Sequence, residues 1–145
     1  MSQEVFVVAY EGDDDSGSLL EYAIERAKKE DAALHIVHVL EWSPYSFLTP
    51  EEVEERHSRR KEELARAKAV IIDPAVVKAS DAGLSATGDI RYGQVVELIA
   101  EIARQKSAAM IFVGRSGSNS ISARVFGSVP LGLAQIAPVP TVIVP

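Results

Sequence analysis

Gly114-Arg115-Ser116-Gly117 is followed, after nine residues, by Gly127-Ser128-Val129-Pro130, and both segments carry the chemistry of an anion ligand. Glycines directly after an apolar run let the backbone turn sharply and bring its N–H groups close to a bound group. Ser128 stands where it can cap a helix with Pro130 in the first turn, so that free N–H groups and the positive end of the helix dipole meet a phosphate. Taken singly, each segment reads equally well as a turn or a cap. The joint spacing G-x2-G-x9-G-S, between an apolar strand and a helix, is what points to a ligand. Arg115 and Arg124 lie within this loop and either reach the phosphates or face solvent.

Other reactive residue types lead less far. Glu11 and the acids Asp13, Asp14 and Asp15 form a cluster that repels phosphate unless a divalent cation intervenes, and Mg²⁺ with oxygen ligands is the natural candidate. The competing reading is a solvated turn at a helix start, where acids are favoured. His35 and His38 are three apart on a strand, so they point to opposite faces and cannot share a metal, which leaves packing or surface roles. Gly114-Arg115-Ser116-Gly117-Ser118 lacks the final glycine of a nucleophile elbow and no histidine follows it, which argues against a serine hydrolase. There is no GK[S/T] of a P-loop and no assignable water-positioning residue, so no catalytic residue and no metal ligand is nominated. Trp42, Tyr45 and Phe47 read as a local hydrophobic cluster or a contact surface.

These residues need a scaffold. Val5 to Tyr10 is a buried strand ending at the acidic stretch from Glu11 to Gly17, and Leu20, Ala23, Ile24 and Ala27 then recur at helical spacing. Leu34 to Leu40 is a second buried strand. Thr49-Pro50-Glu51-Glu52 announces a long charged helix to about Ile72, with Thr49 as cap and Glu52 completing a capping box. Asp73-Pro74 predicts a kink or restart before Gly83. Leu84 to Arg91, with poor alternation and Gly88 inside it, reads as a strand near a sheet edge. Gln94 to Lys106 is a further helix, Ala108 to Val113 a fully apolar strand, Val129 to Ile136 a short helix and Thr141 to Val144 a last strand. Strands alternating with helices at this spacing predict parallel βαβ units in a doubly wound α/β domain, with helices on both faces of the sheet.

The 145 residues suit one compact domain, and a net charge of −6 with interspersed bases makes nucleic acid an improbable partner. The absence of cysteine removes disulfides and thiolate sites. The absence of a long apolar run and of a signal-like start predicts a cytoplasmic protein with no membrane insertion.

With the glycine motif matched at every fixed position, and the terminal run Ala137-Pro138-Val139-Pro140-Thr141-Val142-Ile143-Val144 in place, the whole chain, 1–145, resembles the universal stress protein family. The resemblance implies a single domain with a five-stranded parallel sheet in the order 3-2-1-4-5, and a nucleotide where the first and fourth strands diverge. It implies that Gly114, Gly117, Gly127, Ser128 and Val129 hold phosphates and ribose, with Arg115 and Ser116 in the same loop. Val39 would meet adenine through its backbone, Val113 would line the site, and Ala9, Tyr10 and Glu11 would form its other wall. Glu11 departs from the family, which usually has Asp there, and sets the carboxylate one methylene further out. The implied ligand is ATP, ADP or AMP. The implied assembly is a homodimer through antiparallel pairing of Thr141 to Val144. The functions to weigh are a nucleotide-binding regulatory or stress-response protein read by a partner of unknown identity, a slow Mg²⁺-dependent ATPase, and an interaction module without nucleotide.

Overall fold

The computed structural model describes residues 3–12, 16–41, 49–115 and 129–145. Its strands are β1 (Val5–Ala9), β2 (Ala33–Glu41), β3 (Ala86–Gly93), β4 (Met110–Gly114) and β5 (Thr141–Val144). The helices are α1 (Ser16–Glu30), α2 (Pro50–Ala67), α3 (Asp73–Asp81), α4 (Val95–Gln105) and α5 (Val129–Ile136), with a π-helical turn, Lys68–Ile72, between α2 and α3. The strands form one sheet in the order β3-β2-β1-β4-β5, and every pairing is parallel. This is the doubly wound α/β architecture expected from the alternation of elements.

Strand alternation divides the core between the two faces of the sheet. Phe6, Val8, Leu34, Ile36 and Phe112 point to one side, where Leu20, Ala23 and Ala27 of α1 and Ala75 and Ala79 of α3 cover them. Val7, Ala9, Val37, Ile111 and Val113 point to the other, against Ile99, Ile102 and Ala103 of α4 and Leu133 of α5. Both faces are buried, which is why β1 and β4 read as unbroken apolar runs rather than as alternating ones. Phe6 and Phe112 stand side by side with ring centroids 5.4 Å apart, and burying side chains of this size contributes about 1.5–3 kcal/mol each.

The capped start of α2 is as its residues predict: the Glu52 N–H donates to Thr49 Oγ at 3.2 Å, with Pro50 in the first turn. Beyond it, the expected interruption at Asp73-Pro74 takes a particular form. The backbone stays in the right-handed helical region, and the Asp73 N–H reaches back to the Lys68 carbonyl, five residues away. The ladder is thus loosened by one residue just before the proline, whose missing donor and ring would break an ordinary turn. β3 lies at the sheet edge, as expected, but two residues further along than the sequence pattern places it.

Candidate functional site

Ala9 pairs with Val113, the last matched residues of β1 and β4. Beyond them the two chains part. Tyr10 donates its N–H to the Val37 carbonyl of β2 at 2.8 Å, whereas Gly114 continues beside Val144 and Arg115 donates to the Val144 carbonyl at 2.8 Å. One chain follows β2 and the other β5, so a gap in the pairing opens between Tyr10 and Gly114. It lies at the carboxyl ends of the strands, where the strand order reverses, which is the general ligand position of open α/β sheets.

Four of the residues singled out by sequence meet at this end of the sheet. Ala9 and Val113 are buried in the α4/α5-side cluster, and Val39 and Val129 pack against it partly exposed. Tyr10 packs against the opposite face's cluster, and Glu11 and Arg115 are exposed. A Cβ added to Gly114 would meet no described atom within 4 Å, so the described residues leave space beside the backbone where β4 ends. Ser116, Gly117, Gly127 and Ser128 lie outside the described residues, as do Asp13 to Asp15, Arg124, Trp42, Tyr45 and Phe47. Among the described residues no cluster of three acids or histidines could hold a metal ion.

A groove of about 420 Å³ adjoins Val129, lined also by Glu41, Gln94, Glu97, Gly132 and Gln135. Its described charges are both acidic, so it suits a neutral, hydrogen-bonding group better than a phosphate. Sequence reasoning missed it. The available signal was Gly93, directly before α4, whose φ of 152° lies in a region other residues rarely adopt.

The two histidines do face opposite sides, but both are buried rather than superficial. His35 Nδ1 is 2.6 Å from Thr87 Oγ, and its Nε2 is buried with no hydrogen-bond partner among the described residues. Burial, with Lys106 and Arg91 nearby, pushes its pKa below the usual histidine value, against a smaller opposing pull from Asp89. His38 Nδ1 lies 2.8 Å from the Tyr10 carbonyl. At the end of β3, the Tyr92 hydroxyl donates to Glu63 of α2. Burial, then that carboxylate, pushes the phenol up to about 12.

The sequence pattern of the Universal stress protein family matches residues 4–145. Universal stress protein YxiE of Bacillus subtilis is 28% identical, with 95% of this chain and 96% of that protein covered. A universal stress protein of Mycobacterium tuberculosis is 27% identical over 96% of this chain but 47% of its own length, so the chain spans about half of that relative. Among solved structures, the universal stress protein UspA of Lactobacillus plantarum superposes with a TM-score of 0.84 at 20% identity, covering both chains fully. A universal stress protein in complex with cAMP superposes at 0.69, with 23% identity and 100% and 98% of the two chains covered. One from Archaeoglobus fulgidus in complex with dAMP superposes at 0.65, with 19% identity and coverage of 99% and 98%. At such identities these structures establish the shared fold.

Proposed function

The chain belongs to the universal stress protein family, and from that premise we propose that it binds an adenine nucleotide in the crevice between β1 and β4. The observation that carries this is the parting of Tyr10 and Gly114 beyond the Ala9–Val113 pair, with no described atom crowding Gly114. Family structures are described as complexes with cAMP and with dAMP, which supports the adenine class. An apolar wall of Ala9, Val39, Val113 and Val129 suits a base or sugar face, and the glycine-lined end of β4 suits phosphates approached by backbone N–H groups.

In this reading residues 1–145 act as one nucleotide-binding domain, Gly114 to Gly117 and Gly127 to Val129 hold the phosphates, and ATP with Mg²⁺ is the fullest ligand. The nucleotide is then a signal, read by a partner protein in the cytoplasm, rather than a substrate. Backbone donors stabilise a polyphosphate in its ground state as well as in its transition state, which lowers the dissociation constant without raising turnover. The protein pairs with a second copy through β5.

Calorimetry with ATP, ADP and AMP, with and without Mg²⁺, tests the reading. Gly114→Val adds a side chain where the described structure has space, so it should fold normally yet weaken binding by about 100-fold or more, equivalent to about 2.7 kcal/mol. Gly127→Val should do the same. No nucleotide binding by the unaltered protein, or unchanged affinity in both folded variants, overturns the proposal. Phosphate release on the order of 1 s⁻¹ or faster, lost in Glu11→Gln, would make the protein an enzyme instead.

A further inference from the structure

Two contacts with described residues hold the chain leaving β1, and neither comes from the glycine motif. At the first, a carbonyl oxygen can only accept, so the 2.8 Å contact between His38 and Tyr10 requires the proton on Nδ1, which donates to the Tyr10 carbonyl. His38 is buried, 8% exposed, where a lost partner is not replaced by water. Together with the Tyr10 N–H donated to Val37, this ties both polar groups of the Tyr10 backbone to β2. At the second point, Gly12 has φ of 80°, and a Cβ there would lie 2.7 Å from Cγ2 and 3.0 Å from Cγ1 of Ile71. Ile71 belongs to the π-helical turn, and its branched side chain fills the space that glycine leaves. Glu11 sits between the two points.

Val39, next to His38, faces the other side of β2 and packs toward the cluster that borders the crevice. One dipeptide therefore serves the site twice, directly through Val39 and through the backbone of the opposite wall by way of His38. We infer that His38 is a positioning residue: its Nδ1–H, with the Ile71–Gly12 contact as second anchor, fixes the Tyr10-Glu11-Gly12 turn in the shape that receives the nucleotide. The inference rests on the nucleotide reading of the crevice for its ligand, but the fixing of the turn is measurable without one.

The test compares His38→Leu, which keeps an apolar body and removes the donor, with His38→Asn, whose side-chain N–H₂ stands near the position of Nδ1. Amide hydrogen exchange at Tyr10, whose N–H donates to the Val37 carbonyl, should in the ligand-free protein accelerate at least about tenfold in the leucine variant and return toward the unaltered rate in the asparagine variant. ATP affinity should follow the same order, falling at least about tenfold and then recovering. Unchanged exchange at this amide in folded His38→Leu overturns the inference, whatever the nucleotide result. Equal losses in both variants also overturn it, since packing rather than the donor would then matter. If the unaltered protein binds no nucleotide, the functional proposal fails while exchange still decides the anchor. Should His38→Leu not fold, Ile71→Ala loosens the second anchor alone and should accelerate exchange at the Tyr10 amide, with unchanged exchange counting against the inference.

Discussion

The sheet ends in two edges of opposite design. β3 is eight residues long and carries a charged pair, Arg91 Nε to Asp89 at 3.0 Å, with a further donation from Arg91 to Gln105 of α4 at 3.4 Å. Its end is also tied to α2, through Tyr92 to Glu63 and through Arg60, which lies 5.1 Å above the Tyr92 ring. β5 is four residues long, and its Ile143 is 48% exposed, with Leu131 and Ile136 of the neighbouring α5 at 57% and 41%. Length alone would make β3 the more dangerous template for a stray strand, yet the long edge has the charges and the short one is left apolar. An edge guarded by charge is built to stay unpaired. An apolar edge without such charge is built to be covered.

The largest effect should come from breaking that difference at β5. Alternation along a parallel ladder turns the amides of Thr141 and Ile143 away from β4, because Pro140 and Val144 supply the carbonyls that β4 and Arg115 bind. These are the groups a second copy would use. Ile143→Lys should weaken self-association by about 100-fold or more, about 2.7 kcal/mol, while leaving the fold intact because the position is half exposed. Sedimentation at micromolar concentration should give a dimer for the unaltered chain and a monomer for the variant. A monomer in both cases would remove the pairing role from β5.

The two edges were unequally legible in the sequence. Thr141 to Val144 stands out by composition between prolines, and the structure has the strand at those bounds. β3 was displaced by two residues because its position depends on eight pairs with β2, from Leu34–Ala86 to Glu41–Gly93. No local pattern in an edge strand with exposed Thr87 and Gly88 encodes such a register. The same limit applies at the candidate site. Ala9, Val39, Val113 and Val129 come from the family resemblance, and each lies in or packs against one apolar cluster. The hydrogen bond from His38 to Tyr10 joins residues 28 apart in sequence and left only a histidine on an apolar strand to be read. The π-helical turn was foreseeable as a disturbance before Pro74, but its form follows from packing onto the sheet.

A smaller effect tests the interior of the β3 side. His35 pairs with Thr87 in register, and Lys106, just past the end of α4, and Asp89 and Arg91 of β3 act on it. Since desolvation lowers its pKa in the folded state, the unfolded chain binds the proton more readily. Stability should therefore be independent of this residue well above the unfolded value of about 6.5 and should fall as pH drops below it, levelling off below the folded pKa. Urea midpoints between pH 8 and pH 5 should decline, and the decline should be smaller in His35→Gln, which cannot titrate. An identical pH profile in the two proteins would mean that the ring binds its proton equally well folded and unfolded, so that burial does not hold it neutral.

The smallest expected effect concerns the charged pair itself. Asp89 and Arg91 are neighbours on one face of β3, with side chains 29% and 36% exposed, so water screens much of their attraction and removing it should cost about 0.2–1 kcal/mol. Measured at pH 8, where His35 is neutral, the Asp89→Asn and Arg91→Gln variants should each shift the urea midpoint only slightly. The double replacement Asp89→Val with Arg91→Val removes charge of both signs, leaving net charge unchanged, and puts β-branched residues on the edge. Strand propensity rises with that change, so stability should hold within about 1 kcal/mol of the unaltered protein. Solubility should not hold, because the edge has lost what keeps another strand away. Concentration-dependent association beyond the dimer, appearing in the double variant and absent from the single ones, is the expected outcome. A loss of several kcal/mol without new association would instead make the pair a structural strut, and the contrast between the two edges would then reflect stability rather than control of pairing.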